Sequence, residues 1–154
     1  MLRFYSPIVF LLLFGFGSFS ALAQPPDLRQ EQACKELLYA RNLTITSANI
    51  RTNPLSEESY CYVRGIIAPA IHFHAQLPWP ENWNGRFLQW GDGGKDGDLD
   101  YANHRVAEGY AVTNSNMGHD NSVEPGASFA WNNRQAEIDF GYRAVHLTVL
   151  AGKY

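Results

Sequence analysis

Residues 83–97, WNGRFLQWGDGGKDG, place strand-forming side chains directly before a loop rich in glycine and aspartate. Phe87, Leu88 and Trp90 favour a buried strand. Three glycines follow at close spacing: Gly91, Gly93 and Gly94. Glycine lets a backbone take positive φ or approach a ligand closely, so its N–H groups can stabilise an anion or a developing oxyanion. We predict that this glycine loop, residues 91–97, is the site of chemistry; the alternative is a plain turn.

Four aspartates in and after the glycine loop raise the alternative of calcium binding. They are Asp92, Asp96, Asp98 and Asp100. Carboxylates near alternate positions suit the oxygen ligands that calcium prefers. An EF-hand counted from Asp96 would need glycine where Tyr101 stands and glutamate where Ala107 stands. A calcium-binding loop therefore remains an alternative, and we predict no metal site.

Strict alternation in residues 71–77 predicts a strand with two different faces. Its apolar face consists of Ile71, Phe73, Ala75 and Leu77. Its polar face consists of His72, His74 and Gln76, for which we predict solvent exposure. Two histidines spaced two apart can ligate a metal, but no third ligand is evident. We interpret them as part of a solvated strand.

Two further residues, His119 and Ser128, are of the types that act in hydrolysis by serine enzymes. His119 lies in residues 114–126, a segment so rich in polar residues and glycine that we predict a long surface loop. We interpret His119 as an exposed loop histidine, with an acid–base role as the alternative. Ser128 stands in Gly-Ala-Ser-Phe-Ala, which lacks the second glycine of a G-x-S-x-G elbow and has no strand before it.

Composition and export signals narrow the class of protein. The net charge of −3 and the absence of Lys/Arg runs argue against nucleic acid or anionic membranes as partners. Residues 1–23 carry Arg3, an apolar run and a final Ala-Leu-Ala, which together predict a signal peptide and a secreted or periplasmic protein. In an oxidising compartment Cys34 and Cys61, the only cysteines, should form a disulfide.

The order of the predicted elements indicates an α/β fold. Strands are predicted at 43–46, 60–67, 71–77, 87–90 and 110–113, the second and third forming a hairpin. Helices are predicted at 33–39, 101–108 and from 135 to the last residue. The last helix carries an apolar stripe at helical spacing: Ile138, Tyr142, Val145 and Val149.

The segments LTITSANI, WNGRFLQWGDGG, AEGYAVTNSNMGHD and DFGYRAVHLT resemble the N-terminal part of the tannase and feruloyl esterase family. The resemblance covers nearly all of residues 24–154. It implies a secreted serine hydrolase of α/β-hydrolase fold, without a cofactor, that cleaves esters of gallic, ferulic and related aromatic acids. By position, Gly91, Gly93 and Gly94 match the oxyanion loop of the family.

The chain departs from this family in the residues that carry the reaction. Members place a nucleophilic serine in a GCSxGG-like elbow beyond the DFGYRAVH helix, followed by an aspartate and a His-Cys pair. None of these motifs is present. We therefore expect an inactive N-terminal part of an esterase domain, truncated before the elbow, whose small aromatic ester substrate belongs to a longer parent. A small secreted binding module is the alternative.

Overall fold

The computed structural model describes residues 27–91, 93–95 and 97–154. The predicted signal peptide, residues 1–23, lies outside these residues. Within the described ranges, no helix has the length and apolar character needed to cross a membrane.

The described residues form a five-stranded mixed sheet. Its strands are β1 (Thr44–Thr52), β2 (Ser59–Ile67), β3 (Ile71–Pro78), β4 (Phe87–Gln89) and β5 (Ala111–Ser115). They lie in the order β1-β2-β3-β5-β4, and all neighbours are antiparallel except β4 and β5, which are parallel. The predicted β2–β3 hairpin is confirmed, with Val63 opposite Ala75. β1 is longer than the short strand expected at 43–46.

Apolar side chains are buried on both faces of this sheet, because successive residues of a strand point to opposite sides. One cluster contains Cys61 and Val63 of β2 together with Ala48, Ala75 and Trp79. The other cluster gathers different residues on the opposite face: Tyr60, Tyr62, Ala102, Val106 and Val112. Both faces are therefore covered, as an α/β architecture requires.

Short helices supply this cover. They are α1 (Leu28–Glu36), α2 (Asn103–Ala107), α3 (Arg134–Ile138) and α4 (Ala144–Gly152). A disulfide joins Cys34 of α1 to Cys61 of β2, with the two Cα atoms 5.5 Å apart. This confirms the predicted pairing and fixes α1 to the sheet. Gly109, just beyond α2, adopts φ +86°, in keeping with its predicted place after a helix.

The predicted single helix from residue 135 onward is wrong. A π-helical turn, Asp139–Arg143, separates α3 from α4. Of the predicted apolar stripe, Tyr142 and Val145 are exposed. The buried positions are Ala136, Asp139, Ala144 and Thr148. A π turn contains more residues than an α turn, so it rotates the face that the following helix presents. Simple helical spacing across residues 138–149 cannot anticipate that rotation.

The predicted solvated face of β3 is also wrong. His74 and Gln76 are completely buried, and only His72 is exposed. Residues that follow the glycine loop fold back over this face: Gln76 Oε1 accepts from the Ala102 N–H at 3.0 Å, and Gln76 Nε2 donates to Asn103 Oδ1 at 3.0 Å. Their polar groups satisfy the buried side chains, so alternation on β3 does not mark an exposed face here.

Candidate active site

The glycine loop leaves the sheet at the end of β4, an edge strand that runs parallel to β5. Gly91, Gly93 and Gly94 are exposed, and no neighbouring atom lies within 4 Å of the position that a Cβ would take at any of them. Gly94 has φ +67°, a conformation that costs other residues free energy. At each of the three predicted oxyanion residues, the side of the backbone where a Cβ would stand is thus open to an approaching ligand.

Both ends of the glycine loop contact the rest of the fold. At the first end, the Trp90 N–H donates to the Thr113 carbonyl oxygen of β5 at 2.7 Å. At the other end, Gly97 is buried with φ +100°, and a Cβ there would lie 2.6 Å from the Asn121 nitrogen. A larger residue at position 97 would therefore clash with main chain. Trp90 at one end of the loop and Gly97 at the other are thus held in place by neighbouring residues.

His119 packs against this second end and is not the exposed loop histidine that we predicted. Its side chain is only 4% exposed and stacks on Phe129, with ring centroids 3.8 Å apart. Neither ring nitrogen has a hydrogen-bond partner among the described residues. A Cβ on Gly97 would lie 2.8 Å from His119 Nε2. Packing between aromatic rings and the glycine backbone, rather than hydrogen bonding, holds this imidazole.

Asn116 organises the turn that carries His119. Its Oδ1 accepts from the His72 N–H at 2.8 Å and from the Gly118 N–H at 3.1 Å, while its Nδ2 donates to the His119 carbonyl oxygen at 2.7 Å. Asn116 directly follows β5, and it is buried. The segment predicted to be a surface loop from residue 114 therefore begins as buried strand and turn, because asparagine side chains replace main-chain partners there.

A polar cavity of about 340 Å³ lies at this end of the sheet. Three different parts of the chain line it, and they include the charged side chains of Arg64, Asp98 and Asp120. The lining residues are Arg64, His72, Gly97, Asp98, Leu99, Asn116 and Asp120. Hydrogen bonds from Ser122 lower the pKa of Asp120, which keeps that carboxylate ionised. Asn116 and Asp120 of the lining follow the carboxyl end of β5, and His72 lies near the amino end of β3, which is antiparallel to β5.

A polar chain connects the surface to His74 on the face of the sheet that α2 covers. Arg51 donates to Tyr101 Oη at 2.7 Å, Tyr101 Oη donates to Tyr62 Oη at 3.1 Å, and Tyr62 Oη lies 3.1 Å from His74 Nδ1. Burial lowers the pKa of His74 to about 4, and the charges of Arg64 and Arg51 act in the same direction. Burial likewise raises the pKa of Tyr62. His74 is therefore neutral at physiological pH.

Within the described residues, no serine hydroxyl is hydrogen-bonded to an imidazole nitrogen. Ser128 is exposed in the 3₁₀ helix Ser128–Ala130, which follows a turn rather than a strand. A strained strand-to-helix elbow is what presents a nucleophilic serine in hydrolases with the G-x-S-x-G motif. Ser128 lacks that setting.

The predicted calcium alternative falls partly outside the described residues, since these do not include Asp92 and Asp96. Asp98 lines the polar cavity, and the main-chain N–H of Asp100 is bonded to Asn114. Over ranges 27–91, 93–95 and 97–154, no group of three or more His, Cys, Asp or Glu side chains is placed to hold a metal ion.

Comparison with known proteins identifies the family. The family model for tannase and feruloyl esterase matches residues 57–154, which include the glycine loop, the Asn116 turn and α4. The chain belongs to the tannase and feruloyl esterase family. Solved structures agree: feruloyl esterase B from Aspergillus oryzae superposes with a TM-score of 0.65 and 26% identity over 80% of this chain. The predicted α/β fold, matching part of an α/β-hydrolase sheet, is confirmed.

Relatives of this family extend well beyond the matched segment. A probable feruloyl esterase B-2 of Aspergillus flavus is 43% identical over 76 residues, which are 48% of this chain and 14% of that protein. This chain covers 28% of the A. oryzae structure. Tannin acyl hydrolase from Aspergillus niger shares the fold, with a TM-score of 0.52 and 21% identity over 75% of this chain and 25% of that one. Similarity is thus confined to a minor part of each relative's length.

Asn114 and Asn116 are the residues of this region that the sequence analysis missed. Both lie in the Asn-Ser-Asn run at the end of β5, which we assigned to a surface loop because of its polarity. The available signal was their position, directly after a predicted strand of an α/β sheet.

Proposed function

We propose that this chain supplies the oxyanion-binding side of a secreted carboxylic ester hydrolase that acts on esters of aromatic acids. The observation that carries the proposal is the glycine loop at the carboxyl end of β4, in which Gly91, Gly93 and Gly94 are exposed and each Cβ position has no atom within 4 Å. Membership in the tannase and feruloyl esterase family supports ester hydrolysis, and the feruloyl and tannin names of the relatives support aromatic acyl groups.

The chemistry follows from where charge develops. Attack on an ester carbonyl produces a tetrahedral intermediate with a negative oxygen, and preorganised N–H donors stabilise it more than they stabilise the substrate. We assign these donors to Gly91 and Gly93, which are exposed and have no atom within 4 Å of the position that a Cβ would take, so a ligand can approach this side of the backbone closely. A serine nucleophile, its histidine base and an orienting acid must complete the reaction. Among the described residues no such trio is arranged, and we assign to this chain only the stabilisation of the oxyanion.

The test compares proline with alanine at one glycine. Proline removes the N–H, whereas alanine keeps it and meets no neighbouring atom at position 93. In an ester-hydrolysing protein that carries this chain, Gly93→Pro should lower kcat on feruloyl or galloyl esters by roughly a hundredfold, and Gly93→Ala should leave it within a few-fold. The same pair at Gly91 shows which N–H is used. Folded proline variants at both positions with undiminished kcat would overturn the oxyanion role.

A second experiment tests the assignment of the nucleophile. Residues 24–154 alone should show no hydrolysis of aryl esters above background, since an oxyanion loop without a nucleophile stabilises charge that never develops. Hydrolysis that disappears in Ser128→Ala would show that this chain carries its own nucleophile.

A further inference from the structure

The Asn114 side chain joins the two ends of the glycine loop. Its Nδ2 donates to the Trp90 carbonyl oxygen at 3.3 Å, immediately before the loop, and its Oδ1 accepts from the Asp100 N–H at 3.0 Å, shortly after it. One planar amide thus bridges two main-chain groups ten positions apart in sequence. The first of these groups is reinforced by Gln89, whose Nε2 also donates to the Trp90 carbonyl oxygen, at 3.2 Å.

The bridge has a single chemically consistent orientation. Rotating the amide by half a turn would bring its N–H toward the Asp100 N–H and its oxygen toward the Trp90 carbonyl oxygen, so both contacts would become repulsive. Asn114 is 1% exposed, and water therefore does not compete for these bonds. It stands on β5, which is hydrogen-bonded to β3 on one side and β4 on the other. The bridge is thus fixed to the interior of the sheet.

We propose that Asn114 is a positioning residue that sets the span of the glycine loop and so the direction of its N–H groups. This inference rests on the proposed oxyanion function of that loop. Asn114 touches main chain on both sides of the loop and acts on the reaction only through it. Preorganised donors are effective because they need not move when charge develops, and misplacement by about 1 Å can cost as much as a hundredfold in rate.

Asparagine fits this position better than its nearest substitutes. Leucine has a similar size but offers neither bond, which leaves the Trp90 oxygen and the Asp100 N–H without this partner. Aspartate keeps an acceptor for the Asp100 N–H but turns a carboxylate oxygen toward the Trp90 carbonyl oxygen. Asn114→Leu therefore removes both bonds of the bridge, and Asn114→Asp removes only the bond to the Trp90 carbonyl oxygen. A general loss of packing would affect both ends alike.

Asn53 offers a matched control elsewhere in the chain. It is also 1% exposed and also bridges two main-chain groups, donating to the Asn103 carbonyl oxygen at 2.8 Å and accepting from the Leu55 N–H at 2.9 Å. It lies beyond the end of β1, and among the described residues none of its hydrogen bonds reaches the glycine loop. Asn53→Leu therefore reproduces the loss of a buried bridging amide without touching that loop.

Residue-resolved hydrogen exchange of the full chain tests the bridge directly, with β2 and β3 amides as the internal reference for global stability. In Asn114→Leu, exchange at Trp90, Gly97 and Asp100 should rise roughly tenfold or more relative to that reference. In Asn114→Asp, the Asp100 amide should stay protected while Trp90 exchanges faster. Asn53→Leu should leave all three amides at wild-type rates. Loop exchange that merely follows β2 and β3, or that rises equally in Asn53→Leu, would overturn the proposal.

Kinetics then separate positioning from general stability. In an ester-hydrolysing protein that carries this chain, Asn114→Leu should lower kcat about tenfold or more while KM changes little, and Asn53→Leu should change neither. If the loop exchanges faster in Asn114→Leu but the protein hydrolyses no aryl ester, the esterase function is contradicted and the structural role of the Asn114 bridge is supported. Unchanged kcat together with a faster-exchanging loop would remove the positioning role.

Discussion

Arg143 donates a hydrogen bond of 2.7 Å to Asp139 Oδ1, and the Asp139 side chain is almost completely buried. The same guanidinium donates through its second nitrogen to the Ala68 carbonyl oxygen, at 2.6 Å, in the turn between β2 and β3. Gln135 Nε2 donates to the same carboxylate oxygen at 2.9 Å. This ion pair therefore ties the π-helical turn to the β2–β3 hairpin and closes the end of the sheet near the site.

Removing the cation of this pair should be costly. Arg143→Met leaves a buried carboxylate whose remaining described hydrogen-bond donor is Gln135, and we expect a loss of about 3–5 kcal/mol in unfolding free energy. Arg134→Met is the matched control, because Arg134 pairs with Glu137 while being 80% exposed. Such surface pairs contribute less than about 1 kcal/mol. Urea unfolding of both variants measures the difference, and equal losses would contradict the role given to Asp139.

Gly118 should not tolerate a side chain. It has φ +89°, and a Cβ would lie 2.8 Å from Asp139 Cβ. Gly118→Ala should therefore destabilise the protein by roughly 1–3 kcal/mol, through both backbone strain and steric overlap. Gly141 lies in the π-helical turn that also contains Asp139. A Cβ at Gly141 meets no atom within 4 Å, so Gly141→Ala should be neutral or slightly stabilising. Thermal unfolding compares the two, and a tolerated alanine at 118 would refute the packing of this turn against Asp139.

The disulfide between α1 and β2 should contribute a large share of the unfolding free energy of the protein. Cys34 and Cys61 are 27 positions apart, and cross-linking such a loop is worth about 3–4 kcal/mol in the chain-entropy model. Thiol titration of the unreduced, unfolded protein should find no free thiol. Cys34→Ala combined with Cys61→Ala should lower the unfolding free energy by that amount, and an unchanged value would show that α1 docks without help from the cross-link.

Local patterns predicted much of the sheet. The alternation in β3 is a direct consequence of strand geometry, so the β2–β3 hairpin could be predicted from neighbours in sequence. The glycine loop could be found because composition changes abruptly after β4. The disulfide followed from export and from having only two cysteines. Each of these inferences depends on residues close together in the chain or on a simple count.

Contacts between distant segments account for the errors. His74 and Gln76 are buried because residues 100–107 fold over β3, and nothing in the alternation of β3 reports that cover. In the π-helical turn Arg143 donates to the buried Asp139 carboxylate and also to the Ala68 carbonyl oxygen, which lies 75 positions away in sequence. Asn114 was assigned to a loop because its segment is polar, and its two partners, Trp90 and Asp100, lie on other segments. Side chains that satisfy main-chain groups across the fold have no periodic signature.

The burial of His74 makes a pH-dependent prediction. In the unfolded chain the pKa of a histidine is about 6.5. In the folded protein burial lowers the pKa of His74 to about 4, with Tyr62 and Tyr101 packed on the ring and the charges of Arg51 and Arg64 nearby. Above about pH 6.5 both states are neutral and His74 adds no pH dependence. As pH falls toward 4, His74 binds a proton in the unfolded state but not in the folded state, so the unfolding free energy decreases. Below about pH 4 both states are protonated and the loss stops growing.

The expected size of this effect is roughly 3 kcal/mol between about pH 6.5 and pH 4, from a shift of about two and a half pKa units. Urea unfolding at a series of pH values measures it. His74→Gln changes the absolute stability, since the bond with Tyr62 is altered, but its distinguishing effect is a flatter dependence on pH over this interval. His72→Gln removes an imidazole from the same strand whose side chain is exposed, and it should keep most of the wild-type slope. If His74→Gln and the wild type lose stability in parallel from pH 6.5 to pH 4, the buried imidazole is not what makes this fold sensitive to acid.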